Sequence, residues 1–187
     1  MRSIEDFLTY FRRQRSWTRS LVEAIPEEHF DWRPSPETFS CGETVRHLIL
    51  SENFWRKLLM EGAVGRPFDP FGLPGAGIER MRAFRPRNLA SSAASAARYG
   101  ATFAECLGHW AEIQARTEQD FAGITPEQLR VEIVHPLMNL RLPLWELLLT
   151  MVTHEAHHRG QLSAYLKVLG VEQPPMLGDP GSSPEAQ

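Results

Sequence analysis

Residues 144–169 read LWELLLTMVTHEAHHRGQLSAYLKVL, and their periodicity decides the fold. With Leu144 set at 0° and about 100° per residue, Leu147, Leu148, Met151, Leu162, Tyr165, Leu166 and Leu169 fall within about 60° of one direction. The stretch is therefore a long amphipathic helix, starting at Pro143 or Leu144 and ending before Gly170. Polar side chains interrupt its apolar stripe. His158 falls at about 320°, near the middle; His154 at about 280°, on the flank; Glu155 at about 20°, also inward. His157, at about 220°, faces away.

Upstream, Ile4, Phe7, Leu8, Phe11, Leu21, Val22 and Ile25 give a first helix from Ser3 to Ile25, capped by Ser3 and ended by Pro26. Pro26 to Phe39 contains three prolines around Phe30 and Trp32, and reads as an ordered connector that tucks aromatics against the bundle. Ser40-Cys41-Gly42-Glu43 matches the serine-x-x-glutamate capping box, which opens a second helix to about Met60. Five glycines and three prolines between Gly62 and Gly77 mark a loop, followed by Arg80, Arg82, Arg85 and Arg87. A third helix is expected from about Ala90 to Ala122, with Phe103, Leu107, Trp110, Gln114, Thr117 and Phe121 as its stripe and Gly123 as its stop. Thr125-Pro126 suggests a short helix, and Val131 to Leu142 is ambiguous between extended chain and loop.

The expected fold is an all-α four-helix bundle over residues 1–172, with a Gly/Pro-rich connection between helices 2 and 3. Residues 173–187, with four prolines and two glycines, read as a flexible tail. At 187 residues, one domain with a complete core is favoured. A net charge of -3 argues against nucleic acid as a partner. The longest apolar run, Leu142 to Val152, is far short of the ~20 residues of a membrane span, and the charged N-terminus does not resemble a signal peptide. Cys41 and Cys106 are too few for a disulfide framework, so a cytoplasmic location is expected.

Imidazoles and a carboxylate on a core-facing stripe must be satisfied, because a buried unpaired polar group costs a few kcal/mol. Histidines at i and i+4 project side by side and can share one metal ion; the alternative is a hydrogen-bonded pair of core histidines. A metal needs more ligands. His47 lies on a helix that is apolar almost all round, and is the best third candidate. His109 is expected at the surface, while His29 and His135 lie in connectors. Three imidazoles would leave positions open for water or substrate, as in a catalytic site. His154 to His158 also matches the H-E-x-x-H pattern of zinc proteases. The extended form of that motif needs glycine at 161 and histidine at 164, where this chain has Gln161 and Ala164.

The string His154-Glu155-Ala156-His157-His158-Arg159-Gly160-Gln161 resembles the H-x-x-H-H-R-G-Q signature of the DinB/YfiT-like family of metalloenzymes. Trp32-Arg33-Pro34 and Thr44-Val45-Arg46-His47-Leu48 resemble that family's entry to its second helix, and Leu169-Gly170-Val171 its closing segment. The resemblance implies a DinB-like four-helix bundle, often a homodimer, with a divalent transition metal held by His47, His154 and His158. It implies thiol-dependent S-transferase or isomerase activity, and the enzyme expected here is a thiol S-transferase or a small-substrate hydrolase, with a low-molecular-weight thiol as possible cosubstrate. A three-histidine metal can lower the pKa of water toward ~7 or hold a thiol as thiolate. Zinc or nickel is the expected ion, although imidazoles also suit copper and iron. The alternatives are a non-catalytic, stress-associated dimeric metal-binding module and a metal-free bundle.

Gln161 is placed to support a ligand histidine, Arg159 to pair with Glu155 or another carboxylate, and Gly160 to admit a close neighbour. Cys41, in a capping turn, is expected to be a packing residue. The Gly62–Gly77 segment and the Arg80–Arg87 cluster could form a lid and an anchor for an anionic small-molecule substrate; the plainer reading is a solvated loop.

Overall fold

The computed structural model describes residues 3–66, 68, 93–136 and 140–175. Helix α1, Ile4–Glu23, begins where Asp6 N–H donates to Ser3 Oγ at 3.2 Å. Helix α2, Cys41–Ala63, opens on the full capping box: Glu43 N–H donates to Ser40 Oγ (3.1 Å) and Ser40 N–H to Glu43 Oε2 (2.9 Å). The connector before it is ordered, as expected. Phe30 lies so close over Gly42 that a Cβ there would sit 2.4 Å from its ring, and Trp32 meets Tyr165 edge-on at 5.6 Å.

The third helix departs from the single rod expected from about Ala90 to Ala122. It is two helices, α3 (Ala93–Tyr99) and α4 (Phe103–Ala122). The break falls at Gly100, whose φ of 108° lies in a region open to glycine but costly to other residues. Thr102 then caps α4 by accepting from Glu105 N–H at 3.2 Å. The ambiguous stretch after it forms a small antiparallel ribbon, β1 (Glu132–His135) with β2 (Leu140–Pro143), in which Ile133 faces Leu142. Thr125-Pro126 leads into one 3-10 turn, Gln128–Arg130, rather than an α-helix. Helix α5, Leu144–Leu169, ends on Gly170 in the left-handed conformation, φ 70°.

Helices α1 and α2 each pack against both α4 and α5, so the four long helices form a square with α1 and α2 on one diagonal. Two apolar clusters fill its length. One gathers Phe7, Phe11, Leu58, Leu59, Phe121 and Leu147; the other gathers Val22, Val45, Ile49, Trp110, Leu162 and Leu166. The chain runs from the first cluster to the second along α1 and α5, and from the second to the first along α2 and α4. The topology is thus up-down-down-up. Consecutive parallel helices α2 and α4 need a long return, and residues 64–102 provide it.

On each long helix a buried polar stretch separates the two apolar clusters: Gln14, Arg15 and Thr18; Ser51 and Glu52; Thr117; Glu155 and His158. The bundle therefore has a polar waist. Most of the Gly62–Gly77 loop, the whole Arg80–Arg87 cluster and the tail from residue 176 lie outside the described residues. Among those described, no helix is long and apolar enough to cross a membrane.

Candidate metal centre

Three of the seven histidines converge at the waist. His47 and His158 are buried, 5% exposed each, and His154 is half-buried. One ring nitrogen from each lies within 4.8 Å of the other two. His154 Nε2 is 3.2 Å from His47 Nε2 and 3.2 Å from His158 Nε2. Helix α2 supplies one ring and α5 supplies two, from consecutive turns, as the helical wheel requires.

Hydrogen bonding alone does not satisfy this arrangement. A neutral imidazole nitrogen carries either one hydrogen or one lone pair, so His154 Nε2 can serve only one of its two neighbours. A shared ion has no such limit. Nitrogens bound tetrahedrally at ~2.0–2.1 Å lie about 3.3 Å apart, close to the separations found. The rings are also kept in the neutral, ligating form. Desolvation and the neighbouring histidines push His47 down to about 2 and His154 to about 4, and burial lowers His158 as well.

Surrounding side chains orient the three rings. Gln161 Oε1 lies 2.7 Å from His158 Nδ1, so that nitrogen carries the hydrogen and Nε2 presents its lone pair to the cluster. This is the role expected of Gln161 from its spacing. Phe39 stacks on His47 at 5.1 Å and meets His158 edge-on at 6.0 Å. Stacking, rather than an acceptor, holds the His47 ring, because His47 Nδ1 is buried without a hydrogen-bond partner among the described residues. Ser51 Oγ, one turn on, lies 3.3 Å from His47 Nε2.

Beside the histidines lies a second polar group for which the sequence reading assigned only Glu155. Arg15 is buried and donates from Nε to Glu155 Oε1 (3.1 Å), from Nη2 to Glu155 Oε2 (2.8 Å) and from Nη1 to Glu52 Oε2 (2.5 Å). Thr18 Oγ1 donates to Glu155 Oε1 at 2.6 Å and Trp110 Nε1 to Glu52 Oε2 at 2.8 Å. The Arg15 guanidinium lies over the Trp110 ring, 4.2 Å from its centroid. Burial alone would lower the Arg15 pKa; the two carboxylates outweigh it and hold Arg15 charged. Its trace in the sequence is a gap: Gln14, Arg15 and Thr18 occupy inward positions between Phe11 and Leu21.

This knot disposes of the protease pattern. Glu155 would be the general base of H-E-x-x-H, yet both its oxygens are engaged by Arg15. Arg159 does not pair with Glu155. It donates to Gln14 Oε1 (2.8 Å) and Gln14 O (3.2 Å) instead, since Arg15 has taken the carboxylate. His157 is exposed, and no atom would lie within 4 Å of a Cβ on Gly160, so the described residues supply no close neighbour for it. His135 is buried against Trp55 and Phe54, apart from the cluster. Cys41 and Cys106 are both buried, and desolvation raises each thiol to about 11, which suits packing.

The comparisons with known proteins agree with this architecture. Over 164 residues the chain is 23% identical to YjoA of Bacillus subtilis, covering 87% of this chain and 88% of that protein. The crystal structure of that DinB-like protein matches with a TM-score of 0.65 and 20% identity, over 94% of this chain and 99% of the other. YfiT from Bacillus subtilis, described as "a probable metal-dependent hydrolase with an unusual four-helix bundle topology", gives 0.68 at 15% identity, over 90% and 89%. A DinB-like protein from Bacillus cereus gives 0.60 at 14% identity, over 93% and 97%. The family model for the DinB superfamily matches residues 10–162, a span that takes in all three convergent histidines, the whole of α2 and α5 as far as Leu162: the chain belongs to the DinB superfamily.

Proposed function

We propose that this protein is a divalent-metal-dependent enzyme acting on a small molecule, with His47, His154 and His158 as the ligands and hydrolysis as the reaction class. The observation that carries the reading is the pair of 3.2 Å approaches to one nitrogen, His154 Nε2, which a hydrogen bond can satisfy only once. Zinc or nickel suits three imidazoles. Such an ion supplies Lewis-acid activation of a water or a thiol. The protein's own residues do the rest. Gln161 fixes the His158 tautomer, Phe39 holds the His47 ring, and the Ser51 hydroxyl, 3.3 Å from His47 Nε2, can orient a group entering the cluster.

Thiol S-transfer would use the same site. The chain's own cysteines are buried and held as thiols, so the reactive sulfur would come from an exogenous low-molecular-weight thiol. Assembly as a homodimer belongs to the same proposal. Trp145 and Leu149, one turn apart on α5, remain 40% and 37% exposed. Sedimentation of Trp145→Glu beside the wild type tests it.

Elemental analysis of protein prepared without a polyhistidine tag should find near one divalent ion per chain. His158→Ala should lose both the ion and turnover. A chain that neither copurifies with nor takes up a metal overturns the proposal. A loaded protein inert toward esters, amides, phosphoesters and thiol–electrophile pairs would leave a non-catalytic metal-binding module.

A further inference from the structure

The faces of α2 and α4 turned away from the histidines meet α3 around a cleft of about 350 Å³. Arg56 and Lys57 line it from α2, Arg98 from α3, and His109 and Arg116 from α4. Around α2, Arg56 lies about 180° and Lys57 about 80° from His47, and both are more than two turns further along the helix, so the cleft is separate from the metal centre. Its volume is in the range of small-ligand sites.

The charge on its walls is one-sided in a chain whose net charge is -3. Arg56 is already engaged, donating to Asp120 Oδ2 and to Asn53 Oδ1 (3.1 Å), and so forms a fixed wall. Lys57, Arg98 and Arg116 have no salt-bridge partner among the described residues, and Glu112 is the one carboxylate among the described lining residues. Three exposed cations without an ion-pair partner, against one carboxylate, give the concavity a positive potential that favours an anion, and guanidinium forks match the paired oxygens of phosphate and carboxylate groups. Tyr99 and Ile113 add an apolar wall that would take the organic part of a ligand.

We propose that the cleft bounded by Lys57, Arg98 and Arg116 binds a small organic polyanion, carrying two or more phosphate or carboxylate groups, at a site separate from the histidine cluster. The inference stands on the cleft alone and does not require the metal reading.

The test is calorimetric titration of the full, tag-free, chelator-treated chain with inorganic pyrophosphate and, separately, with citrate, which distinguishes phosphate from carboxylate ligands. At least one should bind at one equivalent, and more weakly as salt is raised. Arg98→Gln with Arg116→Gln should weaken binding about tenfold or more, as expected when two charge-assisted contacts are lost. His158→Ala should bind as the wild type does. Both substitutions fall at exposed helix positions; should the double variant fail to fold, Lys57→Gln replaces it with the same expected direction. The proposal is overturned if neither probe binds, if the cleft variants bind unchanged, or if His158→Ala abolishes binding, which would place the anion at the histidines.

Discussion

The waist of the bundle holds two buried polar groups side by side, and they are built on opposite principles. The Arg15 knot is almost self-sufficient. Its guanidinium bridges Glu155 and Glu52, and Thr18 and Trp110 take up further carboxylate valence, leaving Glu52 Oε1 as its one buried oxygen without a partner. The histidine cluster is not self-sufficient, since His154 Nε2 faces two nitrogens and can serve one. Burial of polar side chains therefore does not by itself point to function. What separates the two groups is whether the protein completes them or leaves them for a guest.

The largest effect should come from breaking the complete group. Arg15→Met would strand the Glu52 and Glu155 carboxylates in the core, at a cost of about 3–5 kcal/mol. Denaturant unfolding measures it. A loss below about 1 kcal/mol would show that the knot, too, is waiting for something.

The incomplete group should respond in reverse. In metal-free protein, His154→Ala should change stability by about 1 kcal/mol or less, because it removes at most one of two competing hydrogen bonds. Saturation with zinc at a hundred times its Kd should stabilise wild type by about 2.7 kcal/mol and leave the variant unmoved. Metal-free wild type should also be acid-sensitive. His47 and His154 titrate near 6.5 when unfolded and at about 2 and about 4 when folded, so their contribution is present above ~6.5 and is lost as pH falls toward the folded values. Gln161→Leu should come next, weakening metal affinity about 10- to 100-fold by freeing the His158 tautomer, as a chelator competition would read.

How far each group was legible follows from what encodes it. Helix existence rests on periodicity, and His47, His154 and His158 stand out because imidazoles occupy positions where aliphatics repeat. The capping box at Ser40 is local chemistry and reads correctly. Arg15 is not legible because arginine is common in this chain and one inward arginine breaks a stripe without announcing its partners, which lie 37 and 140 residues away. The break at Gly100 is masked for a different reason. The apolar spacing on α4 is sound by itself and hides the local signs that Ala93–Tyr99 is a separate helix: Gly100, and Thr102 three residues before Glu105 as a start signal. Phe39 looked like connector; its stacking on His47 depends on how Pro26 to Phe39 folds back.

The smallest effect tests whether the two groups are independent. Thr18 Oγ1 donates to Glu155 Oε1, and Glu155 is adjacent to His154, whose pKa its charge helps to raise against the stronger downward pull of burial. Thr18→Val keeps the shape and removes the donor. Arg15 still holds both oxygens of Glu155, so the loss should be about 1.5 kcal/mol, the lower end for a hydrogen bond to a charged group. If the knot is scaffold only, metal affinity will not move with it. A drop in affinity larger than the drop in stability would mean that Glu155, though bound to Arg15 and not to the ion, sets the basicity of His154 through its charge. The complete group would then be part of how the incomplete one is tuned.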